Sequence, residues 1–110
     1  MEIKTENQII KVELSEIAYF KSDGHYINYY SPNGEKSESC RAKIGDIEAQ
    51  LRDCGFVRVH NRYVVNLGMV SAIKGRRLIL QNGEEIGISR TRLKETKEQV
   101  KRAVSERVQP

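Results

Sequence analysis

Short stretches of β-branched and aromatic residues, each closed by a turn signal, recur through most of this 110-residue chain. Stretches of this length and composition are typical of β-strands. They predict strands at Gln8–Val12, Ile17–Lys21, Tyr26–Ser31, Phe56–His60, Tyr63–Asn66, Val70–Lys74, Leu78–Gln81 and Glu85–Ser89. The turn signals are Ser22-Asp23-Gly24, Pro32-Asn33-Gly34, Lys74-Gly75 and Asn82-Gly83. Because Asn and Gly both accept positive φ, such turns favour tight hairpins, and we predict an antiparallel meander.

Two segments have helical rather than alternating periodicity. In the first, Ile44, Ile47 and Leu51 would share one face of a short helix, which Cys54-Gly55 would end. The second is a C-terminal helix over Thr91–Val108, in which residues at Ser105–Pro110 are expected to fray. Its thin apolar stripe consists of Leu93, Val100, Val104 and Val108. The chain has no linker or repeat, so residues 1–110 are predicted to form one domain with a core over about residues 8–102 and frayed termini.

Composition and charge limit the class of protein. The longest apolar runs fall far short of the roughly 20 residues that a membrane span needs, and Met1–Lys11 lacks a secretory signal, so we predict a cytoplasmic protein without a membrane partner. The net charge of +4 and the pI near 9.2 favour a polyanionic partner. Basic residues cluster in Arg58–Arg62, Lys74–Arg77 and Arg90–Lys94, and a fold that joined these segments would present one positive face.

The sequence does not favour an enzyme or a metal protein. His25 and His60 are the only histidines, and neither forms a ligand pair with Cys40 or Cys54, which are predicted to be reduced structural cysteines. A regulatory disulfide and a Cys-His nucleophile stay open as alternatives. The glycines occur singly in turns, so no phosphate-binding or dinucleotide fingerprint is present and no cofactor is predicted. No helix-turn-helix, zinc-finger or basic-zipper pattern occurs either, so any DNA reading must use loops and strand ends.

Four blocks of sequence, taken together in order and spacing, resemble the LytTR DNA-binding domain over about Gln8 to Arg102. The central block sets His, Asn and Arg side chains among strand-forming Val and Tyr. The blocks are Ile17–Ile27 with its Ser-Asp-Gly-His turn, Ile44–Leu51, Phe56–Asn66 and Ile86–Arg90. The resemblance implies a mainly β fold of short antiparallel strands in stacked sheets, an elongated β-sandwich with one short internal helix and a C-terminal helix. It also implies an output domain of bacterial response regulators in two-component systems, which inserts loops into the major groove.

The family positions that contact bases match His25, Asn61 and Arg90. Their chemistry suits that role, because Arg can pair with guanine O6 and N7, Asn with adenine N6 and N7, and His can form a single hydrogen bond. Each residue also has a structural alternative. His25 could be a solvated loop histidine, Asn61 could form the turn by bonding its own backbone, and Arg90 could cap the C-terminal helix or lie in solvent.

Phosphate contacts are predicted for exposed cations near those loops, although a solvated surface charge explains each of them equally well. The candidates are Lys43, Arg62, Lys74, Arg76, Arg77 and Arg92. Arg62 departs from the family, whose members more often carry a small hydroxyl residue there. The five tyrosines are predicted to pack in the core or on the sheets rather than to stack on single strands.

The predicted function is therefore sequence-specific binding of double-stranded DNA by a transcription regulator, with two copies on repeated half-sites. The acidic face of Asp46, Glu48 and Asp53 could in addition contact a receiver domain or RNA polymerase. The alternative is a β-rich module that binds a protein or single-stranded nucleic acid. The sequence leaves open whether the chain is a fragment of a receiver-containing regulator or a freestanding one.

Overall fold

The computed structural model describes the backbone of residues 1–108 and the side chains of residues 1–103. It contains ten strands and two α-helices in the described residues. The strands are β1 (Glu2–Lys4), β2 (Ile9–Lys11), β3 (Tyr19–Asp23), β4 (Tyr26–Tyr30), β5 (Cys40–Arg41), β6 (Phe56–His60), β7 (Tyr63–Asn66), β8 (Val70–Lys74), β9 (Arg77–Leu80) and β10 (Glu85–Gly87). The helices are α1 (Ile44–Gln50) and α2 (Leu93–Val108), and short 3-10 turns occupy Leu14–Glu16, Leu67–Met69 and Arg90–Arg92.

The strands form three antiparallel sheets. The five-stranded sheet has the order β5-β4-β3-β7-β6, the three-stranded sheet has the order β10-β9-β8, and β1 pairs with β2. Most neighbours are hairpin partners, as the turn signals predict. The exception is the pairing of β3 with β7, in which Tyr19 faces Val65. This pairing joins two separate hairpins across α1, so the five-stranded sheet is not the simple meander that the sequence pattern predicted.

The five-stranded sheet is buried on both faces. Successive side chains of a strand point to opposite sides, and each side packs in a cluster of its own. Tyr19 and Val65 pack in a cluster with the three-stranded sheet and α2. Phe20 and Val64 pack in a second cluster with α1 and the β1-β2 ribbon. The result is a stack of layers around one central sheet, which confirms the predicted mainly β class with stacked sheets and two helices.

The observed elements differ from the predicted ones at their ends and in the shortest strands. The bounds of β6, β7 and β8 are those predicted, whereas β1 and β5 were missed. β1 carries a single buried apolar residue, Ile3, and β5 is only two residues long, so neither gives a periodic signal. The start of the predicted C-terminal helix is the 3-10 turn at Arg90–Arg92. The side chains of Val104 and Val108 lie outside the described part of the chain, as do residues 109 and 110, and the fraying of Ser105–Pro110 stays a prediction.

Candidate nucleic-acid interface

The turn between β3 and β4 carries His25. Asp23 faces Tyr26 across the hairpin, so Gly24 and His25 form a two-residue turn. Gly24 has a φ of 63°, at the first turn position, where hairpins of this kind favour Gly. The imidazole of His25 is exposed. The backbone carbonyl of His25 accepts a hydrogen bond from Ala42 N at 3.2 Å. That bond brings Lys43, which precedes α1, to the same end of the sheet.

The turn between β6 and β7 carries Asn61 and Arg62, and it lies beside the His25 turn. Ser22 N donates to the carbonyl of Arg62 at 2.8 Å, which extends the β3-β7 pairing into both turns. Within the turn, His60 Nδ1 accepts from Arg62 N at 3.2 Å. His60 is half-buried and edge-on to Tyr63, with ring centroids 6.0 Å apart, so its contacts are structural.

Two more backbone hydrogen bonds extend the row of turns into the three-stranded sheet. Ser89 N donates to Val59 O at 2.9 Å, which places Arg90 next to the end of β6. Ile88 N donates to Arg76 O at 2.8 Å, which places the β8-β9 turn beside the same segment. The three basic segments of the sequence therefore meet at one end of the stacked sheets.

We call this end the cationic edge. It consists of the base-contact candidates and the phosphate-contact candidates that the sequence predicted: His25, Lys43, Asn61, Arg62, Lys74, Arg76, Arg77, Arg90 and Arg92. All of them are exposed except Arg92, which is half-buried.

The base-contact candidates have free side chains in the part of the chain that the structure describes. No hydrogen bond or ion pair within those residues involves the imidazole of His25, the amide of Asn61 or the guanidinium of Arg90. The turn-forming alternative for Asn61 therefore lacks the side-chain hydrogen bond that it requires. Arg90 precedes α2, at the positive end of the helix dipole, where a cation does not stabilise the helix.

Two of the phosphate-contact candidates have carboxylate partners. Arg77 Nη1 lies 2.7 Å from Glu85 Oε1, in a pair whose side chains are 62% and 48% exposed. Such an exposed pair stabilises a protein by only about 0–1 kcal/mol, so Arg77 can exchange partners readily. Arg92 Nη1 lies 3.8 Å from Glu48 Oε2 of α1.

Arg58 is a residue of this region that the sequence-based set of sites omitted. Its Nη2 donates to Asn61 O at 3.0 Å and its Nε donates to His60 O at 3.4 Å. Its Nη1 lies 3.3 Å from Glu48 Oε1. Strand alternation places Arg58 on the same face as Phe56, toward the acidic helix α1, but it does not identify which acid of α1 the arginine meets.

The sequence matches a protein-family model over most of its length. The model of the LytTr DNA-binding domain matches residues 7–101. The chain belongs to the LytTR DNA-binding domain family. The match confirms the predicted family.

Individual proteins also resemble this LytTR domain. The CO-responsive transcriptional regulator RcoM of Rhodospirillum rubrum is 31% identical over 65 residues, which are 59% of this chain and 27% of RcoM. The match thus spans about a quarter of that regulator. A solved LytTr DNA-binding domain from Bacillus cereus superimposes with a TM-score of 0.70 over 91% of this chain and 94% of the other, at 19% identity. At that identity the likeness shows the fold.

The structure also defines the surroundings of the tyrosines, the cysteines and the acids of this LytTR domain. Tyr19 and Tyr30 stack on each other inside the first cluster, with centroids 4.8 Å apart, and only Tyr26 is an exposed tyrosine. The tyrosines therefore form no stacking platform. Cys40 and Cys54 are free, and burial raises the pKa of the Cys40 thiol. Among the described residues, no three His, Cys, Asp or Glu side chains group as a metal site would, and no helix has the length and apolarity to cross a membrane.

The acidic face predicted on α1 is divided in the fold. Glu48 points to the cationic edge, where it meets Arg58 and Arg92. Asp46 and Asp53 are exposed, and neither forms an ion pair within the described residues. Of the three acids predicted to form this face, Glu48 is therefore the one that the fold pairs with cations.

Proposed function

We propose that this LytTR domain binds double-stranded DNA sequence-specifically, as part of a bacterial transcription regulator in the cytoplasm. It reads base edges in the major groove through the turns that carry His25, Asn61 and Arg90. No helix enters the groove in this arrangement. The bidentate pairs available to Asn and Arg are each worth roughly 1–3 kcal/mol of discrimination against a wrong base, so two of them supply useful specificity.

The observation that carries this proposal is the row of backbone hydrogen bonds along the cationic edge. It brings three turns from distant parts of the chain together and leaves their base-reading side chains exposed and unbonded among the described residues. Polar side chains that the fold does not use are available to a ligand. The polyanionic ligand that fits Arg and Lys beside Asn and His is nucleic acid.

The cations between and beside the turns position the duplex through its phosphates. Lys43 flanks the His25 turn, Arg62 adjoins Asn61, and Lys74 and Arg76 extend the edge beyond Arg90. Arg77 joins them by exchanging a carboxylate for a phosphate, and Arg92 joins them through its remaining N–H donors while Nη1 stays near Glu48. Arg90 and Arg92 lie where the α2 dipole is positive, and a phosphate at that end would offset the repulsion.

The size of the domain supports occupancy by two copies. Its longest dimension is 40 Å, so turns along one edge reach at most about one helical repeat of DNA, which is roughly 34 Å. We therefore propose repeated half-sites, each bound by one copy, and bending of the site as the turns engage successive groove faces. Contact of the exposed Asp46 and Asp53 with a receiver domain or RNA polymerase is a further part of the proposal.

Selection of bound duplexes from a random DNA pool tests this function. We expect enrichment of a repeated motif whose copies are about one helical turn apart. Binding to the enriched duplex should weaken steeply with salt and should resist competition by a scrambled duplex. Equal binding to enriched and scrambled duplexes, or tighter binding to single strands, would instead favour the interaction module or the single-strand binder. A circular-permutation gel shift measures the bend.

A further inference from the structure

A single carboxylate connects two elements of the cationic edge. Glu48 extends from α1, its Oε1 lies 3.3 Å from Arg58 Nη1 of β6, and its Oε2 lies 3.8 Å from Arg92 Nη1 of the 3-10 turn. Arg58 and Arg92 are two to three residues from the base-contact candidates Asn61 and Arg90. The carboxylate of Glu48 therefore contacts one arginine near Asn61 and another near Arg90.

Arg58 transmits that connection to the backbone of the Asn61 turn. Its guanidinium donates to the carbonyls of His60 and Asn61, both of which follow the register shift between Arg58 and His60 in β6. The planar guanidinium fixes the directions of these donors, which a lysine ammonium would not. The side chain of Arg58 is only 17% exposed, so its pair with Glu48 is screened by solvent less than a surface pair is.

The charge of Glu48 opposes DNA binding, which makes its location informative. A carboxylate at an edge that attracts phosphates lowers nonspecific affinity. Glu48 weakens the electrostatic attraction that the neighbouring cations provide, so attraction of DNA does not explain an acid at this place. Positioning of Arg58 and Arg92 does explain it.

We propose that Glu48 and Arg58 are positioning residues that fix the distance and orientation between Asn61 and Arg90. The pair thereby couples base reading at the two positions. This inference rests on the proposed function, since it presumes that Asn61 and Arg90 read bases. It adds two residues that touch no base and yet determine specificity.

The test compares Glu48→Gln with Asp46→Asn as a matched control. Both substitutions remove one negative charge from α1, but Asp46 is exposed and forms no ion pair within the described residues. Affinities are measured for the selected duplex, a scrambled duplex, and single-base variants of the selected site. Both variants are expected to bind the scrambled duplex slightly more tightly than the wild type does. Glu48→Gln should lower the ratio of specific to scrambled affinity roughly tenfold, which is part of the value of one bidentate base contact.

The pattern of the loss distinguishes positioning from general destabilisation. Discrimination should fall at the base pairs read by Asn61 and by Arg90 and should persist at the base pair read by His25. Arg58→Lys keeps the positive charge but loses the planar set of N–H donors that bonds the two carbonyls, so this variant should show the same pattern of loss. If Glu48→Gln unfolds the domain at the binding temperature, Glu48→Asp replaces it, because the shorter side chain keeps the charge but cannot reach both arginines.

Equal specificity ratios for the Glu48→Gln and Asp46→Asn proteins would overturn the positioning role and leave the proposed function intact. A uniform loss at all three base positions would also overturn it. A wild-type domain that does not prefer any duplex would instead refute the proposed function itself. The two failures are therefore distinguishable in one set of measurements.

Discussion

The two ends of β7 carry the same residue type in opposite situations. Asn66, at the end of β7, donates to Ile17 O at 2.9 Å and to Leu14 O at 3.3 Å, and its Oδ1 accepts from Gly68 N at 2.9 Å. Asn61, in the turn before β7, is exposed, and its amide forms no hydrogen bond within the described residues. The same side chain thus holds three backbone groups in two segments at one end and is available for a ligand at the other.

The contrast extends to the neighbouring turns. Near Asn66, Tyr19 Oη donates to Glu84 Oε2 at 2.9 Å, and Asn82 Nδ2 donates to Pro32 O at 2.8 Å. At the cationic edge, Arg58 and His60 also bond the backbone of the Asn61 turn. The side chains of His25, Asn61 and Arg90, in contrast, are exposed and form no hydrogen bond among the described residues. Polar groups that the fold withdraws from water need partners, whereas exposed ones do not. The base-contact candidates, which form no hydrogen bond among the described residues, therefore distinguish the binding end from the structural end.

The largest effect is expected for Asn66→Ala. Three backbone groups lose their side-chain partner, and at roughly 1 kcal/mol for each hydrogen bond the free energy of unfolding should fall by about 3 kcal/mol. Urea unfolding measures the change. DNA preference of the folded fraction should stay as in the wild type. A specificity change at one base pair without loss of stability would break the distinction between the two ends.

Asn61→Ala should show the reverse behaviour. Discrimination against a wrong base at one position should weaken by roughly 1–3 kcal/mol, and Arg90→Ala should do the same at another position. The free energy of unfolding should change by less than about 0.5 kcal/mol, because no folded-state contact of the Asn61 amide is lost. Competition between single-base variants of the selected duplex measures the first effect. Arg52→Ala, an exposed cation beside the start of β6 at the structural end, is the matched control.

A large unfolding effect of Asn61→Ala with unchanged base preference would support the turn-forming alternative. In that case the two asparagines would both be structural. The contrast between Asn61 and Asn66 would then no longer indicate a binding end, although membership of the LytTR family would stand.

Much of this arrangement is predictable from the sequence, because it depends on local signals. Periodicity and turn chemistry predict hairpins such as β6-β7 with the correct bounds. The pairing of β3 with β7 is not predictable in this way, because it joins strands separated by α1 and depends on packing of both faces of the central sheet. The two-residue strand β5 is defined only by its neighbour β4.

The candidate site divides in the same manner. His25, Asn61 and Arg90 follow from the family resemblance, and the structure brings their turns to one edge. Arg58 and the dual contacts of Glu48 need tertiary information, because sequence alone does not show which acid on α1 faces β6. The ion pairs of Arg77 and Arg92 likewise arise from the fold, and they distinguish two phosphate-contact candidates from the others.

The pH dependence of stability in the Tyr19→Phe variant tests the structural end. Burial and the hydrogen bond to Glu84 raise the pKa of the Tyr19 phenol above its ordinary value of 10.0. Stability from this group is therefore fully present below pH 10 and is lost as the pH rises above it, because the unfolded chain ionises first. We expect Tyr19→Phe to cost about 1–2 kcal/mol at neutral pH and to reduce the alkaline loss of stability. Thermal unfolding at pH 7 to 11 measures both. An unchanged alkaline slope would contradict the assignment to Tyr19.

The smallest effects are expected among the phosphate contacts. Arg76 forms no ion pair within the described residues, whereas Arg77 is paired with Glu85, so Arg77 must lose a partner before it can contact a phosphate. Arg76→Ala should reduce the salt dependence of binding by about 0.9 in log-log slope for selected and scrambled duplexes alike, and Arg77→Ala should reduce it less. Glu85→Gln releases Arg77 and should raise affinity for both duplexes. If Arg77→Ala instead had the larger effect, the pair with Glu85 would open at negligible cost, and carboxylate pairing would not distinguish the cations of the binding end.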